Sequence, residues 1–177
     1  MMCRILMGHV AAIAVALVTA TPVLAASTAR AALDAVQSQA KKWHPDALIT
    51  HVATLTAKPD GTAREWLYTV YSPKQKKSAI VTARDLKIEF EEVNRNTSVN
   101  PLADDFLDSD KVLDAARRAG LKTGADGIGL GLTTFGQATG KPRAYWAVTV
   151  MGTETMSSVT LDAKDGAFVK RDDVKLK

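Results

Sequence analysis

Hydrophobic and polar positions alternate with a period of two along several short runs of the chain and with a period near 3.6 along two others. Leu33, Val36, Ala40 and Trp43 fall at helical spacing, with Ser27 or Thr28 upstream as a cap. Val112, Ala115, Ala116 and Ala119 form a second stripe, headed by Asp108 or Ser109 and stopped at Gly120. Residues 47–56, 65–71 and 77–83 read as strands after the first helix, and 127–136, 145–151 and 157–163 as strands after the second. Residues 86–93 alternate cleanly, with Leu86, Ile88 and Phe90 on one side and Lys87, Glu89 and Glu91 on the other. Residues 167–174 are their shorter, weaker counterpart. The Gly- and Pro-bearing segments 56–64 and 137–143 read as turns.

The halves superpose at an offset of 80 residues. Residues 31–36 lie over 111–116, 65–70 over 145–150 and 78–85 over 158–165, repeating Leu33, Trp66, Thr69 and Val70 as Leu113, Trp146, Thr149 and Val150. Identity is low, but the order of patterns is the same. The expected fold is therefore α+β: two tandem repeats, each one helix followed by a three- or four-stranded antiparallel meander, with the helix packed on one sheet face. The units are residues 26–93 and 108–177, joined by 94–107, which has a linker's composition. The pattern leaves open whether the two meanders form one continuous sheet.

The start of the chain reads differently. Arg4 and the apolar run 10–20, followed by small residues ending at Ala25 or Ala26, resemble a secretory signal, so residues 1–25 are expected to be removed on export. The run is short of the roughly 20 residues of a membrane span; retention as an anchor is the alternative. Cys3 is the chain's one cysteine and would leave with the signal, so the core and the sheet must hold the fold without disulfides. An alanine-rich signal without later cysteines points to a bacterial periplasm, with secretion the alternative, and there Asn96–Ser98 carries no glycan. Loss of Arg4 lowers the formal net charge from +4 to +3, too mild for a nucleic-acid binder. Lys74–Lys77 reads as a solvated hairpin tip.

Few residues suggest chemistry. Asp162 and Asp165 are spaced like the start of a calcium loop, but the oxygen ligands that should follow are missing, so the segment reads as a turn closed by Gly166. Asp104, Asp105, Asp108 and Asp110 lack that loop's glycine and fit a helix start better than a cation. Gly127–Leu132 has the glycines of a phosphate loop but lies within a strand, where Gly129 and Gly131 leave one face bare. His44, before Pro45, suits a helix end, and His51 suits a sheet face; neither stands in a nucleophile motif. The chain is expected not to be an enzyme and to hold no metal or cofactor.

A helix, strands ending in a YxVxV-like run at Tyr145–Val150, and a V-D-A-x-x-G-x-V-like hairpin at Leu161–Phe168 resemble the PepSY domain. Two such units also look like the architecture of the secreted β-lactamase inhibitor proteins. The resemblance implies a non-catalytic module that inhibits or regulates an extracytoplasmic enzyme, although the inhibitors' disulfides have no counterpart here. Helices covering Trp66, Tyr68, Val70, Trp146, Val148 and Val150 would turn Leu67, Thr69, Tyr71, Phe135, Tyr145, Ala147, Thr149 and Met151 to the other side. His51 and Ile80 join them. That face is part aromatic and short of charge, as an interface centre is; cover by loops or by the other unit is the alternative. The expected partner is an envelope or secreted protein, with no nucleic acid and no stable membrane span after signal removal. A periplasmic small-ligand or metal-binding protein is the second expectation.

Overall fold

The structure is a computed structural model, which describes residues 26–85, 87–94, 100–124, 127–135 and 142–176. The signal segment, Leu86, Asn96–Ser98 and most of the 137–143 turn lie outside the described residues. Helix α1 (Leu33–Trp43) precedes β1 (Leu48–Ala57), β2 (Glu65–Ser72), β3 (Lys77–Arg84) and β4 (Lys87–Val93). Helix α2 (Ser109–Arg118) precedes β5 (Ile128–Phe135), β6 (Arg143–Met151), β7 (Thr155–Asp162) and β8 (Phe168–Lys175).

The strands form one antiparallel sheet of eight, in the order β4-β3-β2-β1-β5-β6-β7-β8. This overturns the expected α+β fold of two tandem helix-plus-meander repeats. The architecture is sheet-dominated, with two short helices of 11 and 10 residues laid on a single continuous sheet. The physical reason is the edge of β1. A separate meander would leave its backbone donors and acceptors unpaired; instead β1 runs antiparallel to β5, with Val52 opposite Leu132. Periodicity reports which way a side chain points and is silent on which strand lies beside it.

Residues directly opposite in adjacent strands share a face, so the register traces the core as a row across the sheet. Phe90, Val81, Tyr68, Val52, Leu132, Trp146 and Leu161 follow one another from β4 to β7. All but Phe90 are fully buried, and Phe90 packs against the core. α1 covers the β1, β3 and β4 part of this face and α2 the β6 and β7 part. Their apolar stripes, Leu33, Val36 and Ala40 on α1 and Val112, Leu113, Ala115 and Ala116 on α2, are buried. The two fully buried tryptophans reach the chain ahead of each helix: Trp66 Nε1 donates to the Ser27 carbonyl at 2.8 Å and Trp146 Nε1 to the Leu107 carbonyl at 3.0 Å. Truncating a buried side chain of this size costs ~3–5 kcal/mol.

The helix starts differ. Asp108 caps α2, accepting from the Ser109 amide at 2.8 Å, as expected. α1 has no side-chain cap, since it begins at Leu33 and Ser27 is instead bridged to Ala63 across paired backbone. The described end of the 94–107 segment is tied down. Leu102 N donates to the Ile49 carbonyl at 2.8 Å, Leu107 N to the Ala163 carbonyl at 2.7 Å, and the Arg30 guanidinium to the carbonyls of Asp104 and Phe106.

Candidate functional site

The face away from the helices carries no element among the described residues. Two rows of paired residues cross it. One runs Ile80, Thr69, His51, Thr133, Tyr145; the next runs Thr82, Leu67, Ala53, Gly131, Ala147, Thr160. Leu67, Thr69, Tyr145, Ala147 and Thr149 occupy these rows or the one beside them and are half-buried. Tyr71 lies opposite Leu48 at one end of the face, Phe135 opposite Arg143, and Met151 opposite Met156 at the other end. All eight residues singled out from the sequence therefore share this one face, together with His51 and Ile80. Phe135 and Met151 are 58% and 65% exposed.

Within the face lies a trough. Gly129 and Gly131 on β5 and Ala53 and Ala147 on the flanking strands make a floor of small residues, with Leu55, Met151 and Met156 standing around one end. This concavity measures about 480 Å3. A second, of about 370 Å3, adjoins it at Ala147 and is bounded by Phe135, Tyr145 and Val169. A Cβ built at Gly131 would meet only the His51 ring, at 3.9 Å, whereas one at Gly129 would make ordinary contact with Thr149 at 3.6 Å and Leu55 at 3.9 Å. Leu55 is 76% exposed, an unusual state for a large apolar side chain in the middle of a sheet. Leu55, Met156 and Val169 were missed in the sequence. Leu55 shares strand parity with His51, which would have found it; Met156 and Val169 needed the β6-β7-β8 register.

Hydroxyls are the main polar groups in the middle of this face, and charges lie toward its edges, with Glu89 and Glu91 on β4 and Lys170 and Asp172 on β8. The Thr149 hydroxyl donates to Ser158 Oγ at 3.1 Å. His51 stands near the middle, and its partial burial pulls the imidazole pKa below the usual histidine range, against an opposing hydrogen bond with the Leu132 backbone. No described Ser, Thr or carboxylate is hydrogen-bonded to His51 in the arrangement a nucleophile or general base would need. His44 caps the end of α1.

The remaining acidic candidates have structural partners. Asp162 accepts from the Lys164 amide at 2.9 Å and Asp165 from the Ala167 amide at 2.8 Å, with Gly166 at φ +72°, so the segment is the β7-β8 turn. Asp105 pairs with Lys164 at 2.8 Å. Among the described residues there is no group of three or more His, Cys, Asp or Glu placed to hold a metal ion. Lys74 lies in the β2-β3 turn, where its amide donates to Asp46 at 2.8 Å. No described helix is long and apolar enough to cross a membrane.

No family model and no curated protein matches the chain, so the likeness to PepSY units rests on the Tyr145–Val150 and Leu161–Phe168 motifs alone. Among solved structures, a protein from Clostridium difficile 630, provisionally described as a lipoprotein, matches with a TM-score of 0.53 at 11% identity. The match covers 86% of this chain and 98% of that one. The two proteins share a fold.

Proposed function

We propose that this chain is an exported, non-catalytic binding module that holds an envelope or secreted protein through the bare face of its sheet, and inhibits or regulates it. The observation that carries the reading is the trough, a floor of Gly129, Gly131 and Ala147 beside exposed Leu55 and Met151, with exposed Phe135 bounding the concavity that adjoins it. Water covers that apolar surface in the free chain, and a partner that displaced it would gain ~25 cal/mol for each Å2 buried. A protein partner is favoured over a reactant because the middle of the face offers hydroxyl, aromatic and aliphatic groups around His51 and, among the described residues, no nucleophile hydrogen-bonded to a base. Export is supported by the apolar run at 10–20, and by a shared fold with a protein described as a lipoprotein. The periplasm is the compartment that the sequence favours.

The test compares the exported protein with a variant carrying Leu67→Ser, Tyr71→Ser, Tyr145→Ser and Met151→Ser, whose folding is checked by circular dichroism. Both are used to capture protein from envelope extract, and any captured protein is purified and titrated against each. Saturable binding to the native protein, weakened at least tenfold in the variant, supports the reading; equal binding to both removes the face from it. The apolar trough also suits a second reading, a small-ligand binder. Retention of an apolar small molecule by the native protein, and not by the variant, would favour that one. Metal-dependent thermal stabilisation would favour a metal-binding version.

A further inference from the structure

We propose that the outer edge of β8 pairs with β8 of a second copy of this chain, antiparallel about a twofold axis normal to the sheet, setting Lys170 of each copy opposite Asp172 of the other. All residues of β8 are exposed, and no described residue pairs with its outer edge. That edge therefore presents a row of unpaired backbone donors and acceptors.

Charges usually guard such an edge, because an approaching copy presents the same sign. On β8 they do the opposite. Lys170 and Asp172 share the open face and pair at 2.7 Å, while Arg171 and Asp173 share the helix-covered side and pair at 3.0 Å. The strand thus reads apolar at Phe168 and Val169, positive at 170–171, negative at 172–173, and apolar again at Val174. Reversed and laid beside itself about Arg171, the strand sets Lys170 against Asp172 of the other copy on the open face. With the axis at Arg171, Lys170 and Asp172 of the two copies form an alternating ring of four charges on the open face. The two Arg171 side chains then adjoin, each already neutralised by Asp173 of its own strand. Phe168 lies opposite Leu161 on the helix-covered side and Val174 opposite Met156 on the open face, so the apolar ends of the pairing are divided between the two faces.

The other edge is less balanced: β4 carries Glu89, Glu91 and Glu92 against Lys87 alone, so a second β4 would set one net-negative strand beside another. The irregular spacing between β7 and β8 falls at Leu161 and Phe168, and from Lys170 to Lys175 the strand pairs regularly with β7. Pairing through β8 leaves both troughs open and brings the Val169-lined ends of the two next to each other.

Sedimentation equilibrium of the purified protein from low micromolar to submillimolar concentration tests this. A reversible dimer is expected, weakening as salt is raised. Lys170→Asp and Asp172→Lys, made separately, should each self-associate about tenfold more weakly, since each turns two attractive cross-strand pairs into repulsive ones. Mixed in equal amounts they should form a heterodimer at least as tight as the native dimer, because the carboxylates of one copy then face the ammonium groups of the other. A misfolded variant would not be rescued by mixing. A native protein that stays monomeric throughout, single variants that associate like the native chain, or a mixture no tighter than its components would each overturn the proposal. Open-ended polymers would overturn it too, in favour of β4 pairing with β8.

Discussion

Replacing Gly61 by alanine should be the most damaging single-methyl addition in the fold. Gly61 lies in the β1-β2 turn at φ +86°, and a Cβ there would stand 2.5 Å from the Asp110 Cα and amide nitrogen and 2.8 Å from the Ser109 carbonyl carbon. Those are backbone atoms at the start of α2, so no side chain can turn aside. The left-handed conformation alone costs a non-glycine residue ~1 kcal/mol, and overpacking adds ~1–3 kcal/mol. A retreat by α2 would also stretch a buried relay, in which the Ala29 amide donates to Ser109 Oγ at 3.0 Å and that hydroxyl donates to the Gly61 carbonyl at 2.7 Å. Losing those bonds costs ~1 kcal/mol each. The total is about 4–6 kcal/mol, a large share of the ~5–15 kcal/mol that separates a folded domain from its unfolded chain. Gly127→Ala supplies the control, because Gly127 has φ +83° and no described atom within 4 Å of the added Cβ. It should cost only the conformational ~1 kcal/mol. Urea denaturation read by tryptophan fluorescence measures both. With a slope of ~2 kcal/mol per M, the two midpoints should differ by ~1.5–2.5 M. Equal midpoints would refute the argument that the first turn and the second helix are in enforced contact.

Two further outcomes are expected. The fully buried Tyr68 hydroxyl donates to the Ala29 carbonyl at 2.6 Å, and burial, with Asp108 nearby, holds its pKa well above the usual 10.0. The unfolded chain then releases this proton first, so the stabilising contribution is intact below pH 10.0 and declines as pH rises through and beyond it; Tyr68→Phe should flatten that alkaline decline in urea midpoints and lower stability by ~1 kcal/mol at pH 7. Gly131→Val should fill the trough floor while leaving stability unchanged or raised by up to ~1 kcal/mol, because valine suits a strand and the space is open; if partner binding survived this change, the trough would not be the contact.

Much of the local structure was legible before any coordinates. The helical spacing of Leu33, Val36 and Ala40, and the strand parity of Trp66, Tyr68 and Val70, depend on neighbours a few residues away, so they follow from backbone geometry. The same parity placed Leu67, Thr69, Tyr71, Tyr145, Ala147, Thr149 and Met151 together on the far face. The cap of α1 was misread because Ser27 is taken by a bridge to Ala63, whose position depends on the turn between β1 and β2. β8 read as a weak strand, since its run of charged residues has no buried face to show; pairing with β7 creates it.

What the sequence determined by itself is the direction of most side chains and the approximate extent of most elements, because both arise from periods of 2 and 3.6 within a single segment; the bulges in β1 and at the start of β8 interrupt that alternation. Only the tertiary structure decided that β1 pairs with β5, that eight strands make one sheet, and that Leu55 and Met156 border one trough and Val169 the concavity adjoining it. Those facts depend on which backbone edges satisfy one another across distant parts of the chain, and a local pattern of hydrophobic and polar residues carries no record of that choice.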